Sequence, residues 1–323
     1  MEFFKTAKTY DFMGKSKMFI ALSLLLILSS YALLLFKGLN FGIDFTGGTI
    51  VQVKYDKPVD IAKIRTALKK SPVFGDASVT KFGSDEEIII RVKSSSKELG
   101  QDIGDIAREV LKETGNFEIR RVDIVGPKVG SELREKGLMA MLLAIAGILI
   151  YVSIRFEWRF ALASVLALVH DVSIALGAIA LFNIQVNLDI LAALLTILGY
   201  SLNDTIIVFD RIREGIVQAK TDNLNSVINE SITKTLSRTT LTSLTTFFVV
   251  LTLYLFGGEI INGFSFTLLV GIVVGTYSSI FVASPLLGWL GFDLKKYRAK
   301  LAEKRRREQE KERMRAMYER GVV

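Results

Sequence analysis

The sequence contains no cysteine and only one histidine, His170, in 323 residues. The absence of cysteine excludes a disulfide framework, thiol catalysis and sulfur-ligated metals. A single histidine also excludes a zinc site of the usual kind, which uses two or three histidines. We therefore expect no metal and no cofactor.

Proline is scarce as well, with four residues, and charge is missing from several long windows of a chain that is 50% hydrophobic. An apolar window of about 20 residues is long enough to cross a bilayer as a helix. Such windows predict an integral membrane α-helical protein with six transmembrane helices, at residues 18–36, 138–154, 160–182, 188–209, 237–256 and 264–290. The first window is too long for a cleaved signal peptide, so we interpret it as a retained anchor after an N-terminal segment, 1–17.

The short loops differ in their content of Lys and Arg. Arg155 and Arg159 lie in one loop, and Arg211, Arg213 and Lys220 follow the fourth span, whereas the loops 183–187 and 257–263 contain no basic residue. Basic loops stay in the cytoplasm. This predicts cytoplasmic termini, an outer segment at 38–137, and a five-helix transmembrane bundle at 138–290.

The outer segment is predicted to fold as a small domain. Alternating and helical apolar patterns, with a turn at Gly83, give the order strand, helix, strand, strand, helix, strand. The predicted ranges are 49–55, 59–70, 77–82, 87–92, 99–114 and 117–125. This is the βαββαβ order of an α+β ferredoxin-like domain, and the domain is too small for an enzyme cleft of its own.

The C-terminal segment, 291–323, holds most of the net charge of +8. Between residues 295 and 320 there are twelve Lys or Arg and five Glu, a difference of +7. One interpretation is a solvated helix, and another is a contact with anionic lipid headgroups or with ribosomal or translocon partners. Because the charge is confined to one tail, no nucleic-acid-binding surface is expected.

Two charged residues fall inside apolar helices at matching predicted depths. Asp204 lies five residues before the end of the fourth span, about 8 Å from its inner edge. The next span is predicted to begin near Ser237, because its uninterrupted apolar run is too short to cross the membrane, and this draws Arg238 into the bilayer. Ionised groups in hydrocarbon are costly and usually serve transport. The alternative is a static ion pair at a helix end.

A second set of polar residues lies nearby in sequence. His170 and Asp171 sit at the middle of the third span, and Asn203 and Thr205 flank Asp204. Together with Ser243 and the threonines of the fifth span they predict a polar seam that holds water for proton passage. A hydrogen bond that locks helix packing explains His170 and Asp171 about as well.

Five short segments resemble motifs of the SecD/SecF family of membrane proteins. These are 41–48 (FGIDFTGG) after the first span, 199–205 (GYSLNDT) with 209–214 (FDRIRE) at the fourth, and 125–130 (VGPKVG) with 170–172 (HDV), which fit the SecF branch. The one-plus-five arrangement of spans fits the family as well. The resemblance covers the chain apart from its tail.

The resemblance implies a non-enzymatic function in the bacterial inner membrane. Family members pair with SecD, attach to the SecYEG translocon, often with YajC, and use the proton motive force to promote late export of preproteins. The family's intramembrane Asp and Arg match Asp204 and Arg238, which implies a proton relay. The motif with Gly42, Asp44, Gly47 and Gly48 is a candidate hinge to the outer domain, although a structural turn explains its glycines about equally well.

Three other functions are weighed against this one. An intramembrane aspartyl protease needs two neighbouring carboxylates, but its GxGD motif would need glycine where Leu202 stands. A proton-coupled exporter half for hydrophobic small molecules would share the helix scaffold. Such exporters, however, usually have about twelve spans and two large outer domains in one chain, whereas this chain has six spans and one small domain. A scaffolding subunit without proton coupling would not need the polar seam.

Overall fold

The computed structural model describes residues 9–93, 102–219 and 221–319. Six of its helices are long and apolar enough to cross a membrane, which confirms the prediction of a mostly helical protein with six candidate spans. We number them span 1 to span 6: Ser16–Phe36, Pro127–Arg155, Trp158–Leu181, Leu188–Gln218, Leu224–Phe256 and Glu259–Trp289.

Several of these helices are longer than their apolar windows. Span 5 begins at Leu224, where Asn223 caps it, so the expected start near Ser237 is wrong. Span 2 likewise begins at Pro127, and span 4 continues to Gln218. Hydropathy detects only the part of a helix that contacts hydrocarbon, whereas caps and local propensity decide where the helix itself begins.

Spans 3, 4 and 6 form the centre of the bundle. Most of the apolar window of span 3 is buried, whereas spans 1, 2 and 5 bury only a small share of theirs. Span 6 contains one π turn, Ser279–Ala283, before the short helix Ser284–Trp289. Pro285, which has no N–H to donate, interrupts the regular hydrogen-bond ladder there.

The segment between spans 1 and 2 forms a four-stranded antiparallel sheet with two helices on one face. We number the chain's strands β1 (Asn40–Phe41), β2 (Gly48–Tyr55), β3 (Ser78–Phe82), β4 (Ser84–Val92), β5 (Phe117–Val125) and β6 (Gln185–Val186). The order in the sheet is β3-β4-β2-β5. The helices Ile61–Lys69 and Ile103–Leu111 begin at the caps Asp60 and Asp102.

The core of this domain follows the alternation along its strands. Val51 of β2 faces Ile90 of β4, and Val53 faces Ile88, with all four side chains buried. Buried residues of the two helices, including Ile64, pack on this face. The first part of the predicted helix 99–114 lies outside the described residues, as do the N-terminal residues 1–8, Lys220 and Arg320.

The connection from span 1 to the domain is more ordered than a loop. Strand β1 pairs in parallel with β6, which lies between spans 3 and 4, and the helix Ile43–Thr46 follows. The carboxylate of Asp44 accepts a hydrogen bond from the backbone N–H of Leu188 at 3.0 Å. The start of the domain is therefore attached to the first residue of span 4.

The other end of span 4 contacts the C-terminal helix, Leu294–Glu319. The guanidinium of Arg298 donates to the carbonyl oxygens of Ile216 at 2.7 Å and of Thr221 at 3.1 Å, and also to that of Ala219. These contacts satisfy carbonyl groups that the end of a helix leaves without partners. Span 4 is thus held at both ends by parts of the chain outside the bundle.

Candidate functional site

Asp204 lies in the interior of the bundle and is almost completely buried, with 1% of its surface exposed. The hydroxyl of Ser243 on span 5 donates to its Oδ2 at 3.1 Å. The hydroxyl of Thr276 on span 6 lies 2.8 Å from Ser243 Oγ and 3.5 Å from the same Oδ2. The other oxygen, Oδ1, has no hydrogen-bond partner within the described ranges, so this carboxyl group can form a further hydrogen bond.

Asp171 is also fully buried, but both of its oxygens are hydrogen-bonded. His170 Nδ1 lies 2.8 Å from Oδ1, and the hydroxyl of Ser278 donates to Oδ2 at 2.8 Å. The hydroxyl of Ser201 donates to the same Oδ2. This carboxylate therefore joins spans 3, 4 and 6, as expected for a hydrogen bond that holds helix packing.

The two carboxylates belong to one group of side chains. Ser201 precedes Asp204 by three residues and so lies on the same side of span 4, one turn away. Thr276 and Ser278 are two residues apart on span 6, and each contacts one of the carboxylates. We call the set the polar cluster; its members are Asp171, Ser201, Asp204, Ser243, Thr276 and Ser278.

Two glycines bring spans 4 and 6 close enough for these contacts. A Cβ atom on Gly275 would lie 2.9 Å from the Cβ of Ser201, and one on Gly271 would lie 2.2 Å from Ile197 Cγ1. Both distances are below normal contact. Small residues at such a spacing allow helices to pack closely in membranes.

Arg238 lies apart from Asp204. Its side chain is exposed, and within the described ranges no ion pair joins its guanidinium to Asp204. Ser243 occupies the position on span 5 that faces the carboxylate, five residues further along, or about 7.5 Å along the helix axis. The sequence predicted a matching depth because it placed Arg238 at the beginning of span 5. The helix in fact begins at Leu224, fourteen residues before Arg238.

The remaining candidates separate into buried and exposed residues. His170 is buried, and its ring stacks on Tyr277 with centroids 6.0 Å apart. Thr205 is buried, whereas Asn203 is exposed and points away from the polar cluster. Adjacent positions on a helix face different directions, so flanking an important residue in sequence is weak evidence of proximity.

The glycine-rich motif packs against three other elements. Gly47 and Gly48 have φ angles of 79° and 148°, which favour glycine. A Cβ on Gly48 would lie 2.3 Å from the carbonyl oxygen of Val92, and one on Gly47 would lie 2.8 Å from Pro127 N. A Cβ on Gly42 would lie 3.1 Å from the carbonyl oxygen of Val186. The motif is a tightly packed junction, and Asp44 is its link to span 4.

Arg91 lies near this junction, at the boundary between domain and bundle. Its guanidinium donates to Thr80 Oγ1 at 3.0 Å. Burial lowers the pKa of Arg91 from its ordinary value, and the carboxylates of Asp44 and Asp189 oppose this shift. The backbone N–H of Lys81 on β3 donates to Glu259 Oε2 at 3.0 Å, which is a second contact between the domain and the bundle.

Sequence reasoning missed the contribution of span 6. Thr276, Tyr277 and Ser278 form a polar run inside an apolar helix, and two of the three contact a carboxylate. That run was the available signal, because hydroxyl groups at mid-span usually find a partner on a neighbouring helix. Among the described residues, no group of three or more His, Asp or Glu side chains has the arrangement of a metal site.

Comparison with known proteins agrees with this architecture. Residues 106–293 match the family model for the C-terminal part of the SecD/SecF protein export membrane proteins, and residues 32–59 match the SecD/SecF GG motif. This chain belongs to the SecD/SecF family. The GG-motif match spans the tightly packed junction, and the larger match contains the whole polar cluster.

Relatives within the family match over most or all of their length. The protein translocase subunit SecF of Helicobacter pylori J99 is 50% identical over 323 residues and 100% of both chains. That of Escherichia coli O157:H7 is 43% identical over 88% of each chain. The chain is therefore similar to translocase subunits involved in protein export.

A solved structure of the family has the same fold. The crystal structure of SecDF from Thermus thermophilus, described as a translocon-associated membrane protein, matches with a TM-score of 0.77 and 36% identity. The match covers 89% of this chain and 40% of that one, so this chain spans less than half the length of the SecDF protein. A second SecDF structure, in a super-membrane-facing form, matches with a TM-score of 0.69.

Proposed function

We propose that this chain pairs with SecD and uses the proton motive force to promote late steps of preprotein export across the bacterial inner membrane. The single observation that carries the proposal is the environment of Asp204. This carboxyl group is buried between spans 4, 5 and 6, is held by hydroxyl groups only, and keeps one oxygen without a partner. Such a group can exchange a proton without breaking a salt bridge.

The proposed relay has two states. When Asp204 is ionised, it accepts the hydrogen bond from Ser243. When it is protonated, it can itself donate, and the directions of the hydrogen bonds among Asp204, Ser243 and Thr276 change. Arg238 lies about 7.5 Å before Ser243 along the axis of span 5, and we propose that the two charges approach each other in the other state. Span 5 is the least buried of the three helices around Asp204 and so the one with most freedom to shift.

The outer domain is proposed to lie in the periplasm and to hold emerging preprotein or the outer domain of SecD. The strand order β3-β4-β2-β5 with two helices on one face supports a ferredoxin-like fold. The positive-inside distribution of Lys and Arg supports cytoplasmic termini. The junction with Gly42, Asp44, Gly47 and Gly48 would carry movement of span 4 to the domain.

We propose the partners from the relatives and from the family resemblance. Because this chain matches 40% of a SecDF protein, we propose that SecD supplies the remainder as a separate chain. Attachment to the SecYEG translocon, with YajC, is proposed from the resemblance and from the translocon-associated description of SecDF. The basic tail is proposed to contact anionic lipid. No role in nucleic-acid binding is proposed.

The proposal is tested with Asp204→Asn, co-expressed with SecD. Stalled preprotein is followed to completion in energised membrane vesicles, with and without an uncoupler. We expect the variant to assemble normally and to lose only the uncoupler-sensitive step. Asp105→Asn is the matched control, because Asp105 forms an exposed pair with Arg108 on the outer domain and such pairs contribute little. Unchanged uncoupler-sensitive export in Asp204→Asn would leave a scaffolding subunit as the better interpretation.

A further inference from the structure

A groove of about 680 Å³ lies at the inner end of the bundle. Three parts of the chain form its walls: the loop that joins spans 2 and 3, the last turns of span 4, and the C-terminal helix. From the C-terminal helix it is lined by Tyr297, Lys300, Leu301 and Arg305. These positions are spaced by three or four residues and so share one face of that helix.

The groove is strongly basic. Its lining includes the cations Arg155, Arg213, Lys300 and Arg305, and the carboxylates Glu157 and Glu214. Both carboxylates are already occupied by arginines outside the lining: Arg159 donates to Glu157 at 2.6 Å, and Arg211 donates to Glu214 at 2.9 Å.

Three of the four cations have no carboxylate partner among the described residues. Arg213 pairs with Asp210 at 2.8 Å. In contrast, Arg155, Lys300 and Arg305 form no ion pair with any residue in the ranges 9–93, 102–219 and 221–319. Positive charges that converge on a cavity without counter-charges attract an anion.

The position of the groove selects the kind of anion. Arg155 is the last residue of span 2, and Trp158, the first of span 3, is 55% exposed. Exposed tryptophan and arginine at the ends of spans mark the boundary between hydrocarbon and headgroups. The lining also includes apolar side chains, among them Phe156, Val217 and Leu301. A soluble anion would contact only the cations, whereas a phospholipid would contact both kinds of side chain.

We propose that this groove binds the headgroup of one anionic phospholipid from the adjacent leaflet. The phosphate would lie between Arg155 of span 2 and Arg213 of span 4 on one side and the cations of the C-terminal helix on the other, and so fasten that helix to spans 2 and 4. The helix already contacts the end of span 4 through Arg298. Bound lipid therefore stabilises the inner end of the span that carries Asp204. Only the assignment to the cytoplasmic leaflet rests on the proposed function.

The test uses the purified full-length chain without SecD or preprotein, so its outcome is independent of export. Bound phosphatidylglycerol is counted by native mass spectrometry during titration, with phosphatidylcholine as the comparison lipid. The variant is Arg155→Glu with Arg305→Glu. Its control is Arg313→Glu with Arg315→Glu, which makes the same change in net charge on an exposed stretch of the same C-terminal helix.

We expect one phosphatidylglycerol to bind in preference to phosphatidylcholine. Each basic residue near a headgroup contributes about 1 kcal/mol, so the groove variant should bind about thirtyfold more weakly and the control within about threefold of the original chain. Arg155→Lys with Arg305→Lys should keep most of the binding, and circular dichroism shows that each variant is folded.

Three outcomes overturn the proposal. Equal weakening in the groove variant and the control means that lipid is attracted by diffuse charge only. Equal binding of phosphatidylglycerol and phosphatidylcholine means that the groove does not recognise the negative charge of the headgroup. Displacement of the lipid by an equal concentration of glycerol phosphate means that the groove binds soluble anions rather than lipid.

Discussion

The two buried aspartates differ in how completely their oxygens are hydrogen-bonded. Asp171 has partners on both oxygens from three side chains, whereas Asp204 has an oxygen without a partner among the described residues. A carboxylate with hydrogen bonds to both oxygens holds helices together. A carboxylate with one oxygen free of hydrogen bonds can gain or lose a proton while breaking fewer of them. The residues therefore suit different tasks even though they lie in the same polar cluster.

This difference gives a prediction for stability. Interhelical hydrogen bonds in membranes contribute about 0.6 kcal/mol each on average. Asp171→Ala loses two of them, from Ser201 and Ser278, and also the contact with His170 on its own span, so it should destabilise the chain by about 1–2 kcal/mol. Asp204→Asn keeps an acceptor for Ser243 and should change stability by less than about 1 kcal/mol. Thermal unfolding in detergent measures both. Equal destabilisation of the two variants would contradict the division of tasks.

A second residue-scale prediction concerns alkaline pH. The hydroxyl of Tyr55 lies 2.7 Å from Thr114 Oγ1 in the outer domain, and burial raises the pKa of Tyr55 above its ordinary value of 10.0. The folded domain therefore binds this proton more tightly than the unfolded one. Its contribution is complete below pH 10.0 and is lost as pH rises from there through the folded pKa.

The matched variant is Tyr55→Phe. It removes the hydrogen bond to Thr114, so the free energy of unfolding of the domain should fall by about 1 kcal/mol at neutral pH. Above pH 10.0, however, the variant domain should lose less stability than the original. Trypsin digestion after brief alkaline exposure, together with the tyrosinate difference spectrum, measures this. The same alkaline loss in both proteins would show that another group is responsible.

The sequence identified Asp204 because burying an ionised carboxylate in hydrocarbon is energetically unfavourable, so such a residue in an apolar window is conspicuous. It did not identify Ser243 as the contacting residue, because hydroxyl groups are common in membrane helices and no single one stands out. It also paired Asp204 with Arg238, because depth was counted from an assumed helix start near Ser237, whereas span 5 begins at Leu224 and Ser243 is the residue that contacts Asp204. The packing between spans was not visible in the sequence either; Gly271 and Gly275, for example, bring span 6 close to span 4.

At the scale of elements, the crossing of spans 4 and 6 positions the polar cluster. The existence of both spans could be predicted because hydrophobic length is a strong signal. Their close approach could not, since it depends on which glycines face a neighbour. Gly199 and Gly275 are both in spans, yet only Gly275 would meet another helix with an added Cβ.

This contrast gives a matched pair of variants. Gly275→Ala should push span 6 from Ser201 and weaken the bond between Ser278 and Asp171, at a cost of about 1–3 kcal/mol for overpacking. Gly199→Ala has open space around its Cβ and should be neutral or slightly stabilising. Unfolding temperatures and pairing with SecD are the measurements. Equal behaviour of the two would mean that this crossing does not set the packing.

At the scale of the whole molecule, the outer domain contacts the bundle at several places. Asp44 bonds to Leu188 at the start of span 4, and Glu259 at the start of span 6 accepts from Lys81. The proposed cycle requires that some of these contacts change. Both are exposed hydrogen bonds from a backbone N–H to a carboxylate. The first belongs to the tightly packed junction, so we expect the second to break more easily.

The absence of cysteine makes this testable. Cysteines introduced at Lys81 and Glu259 would be the only thiols in the chain, and a cleavable bifunctional reagent would join them without side reactions. We expect the joined protein to lose uncoupler-sensitive export and to regain it when the reagent is cleaved. Each single-cysteine variant treated in the same way is the control. Export that continues in the joined protein would show that the domain need not leave this position.

Span 4 is attached at its first residue to the outer domain and at its last turn to the C-terminal helix. A helix fixed in this way cannot slide along its axis without disturbing one of the two attachments. Coupling between sites is reciprocal, so whatever Asp204 does to the outer domain, a force on that domain does to Asp204. In the proposed cycle, a preprotein that pulls on the outer domain would then change the affinity of Asp204 for its proton, and the load itself would set when the next proton is taken up.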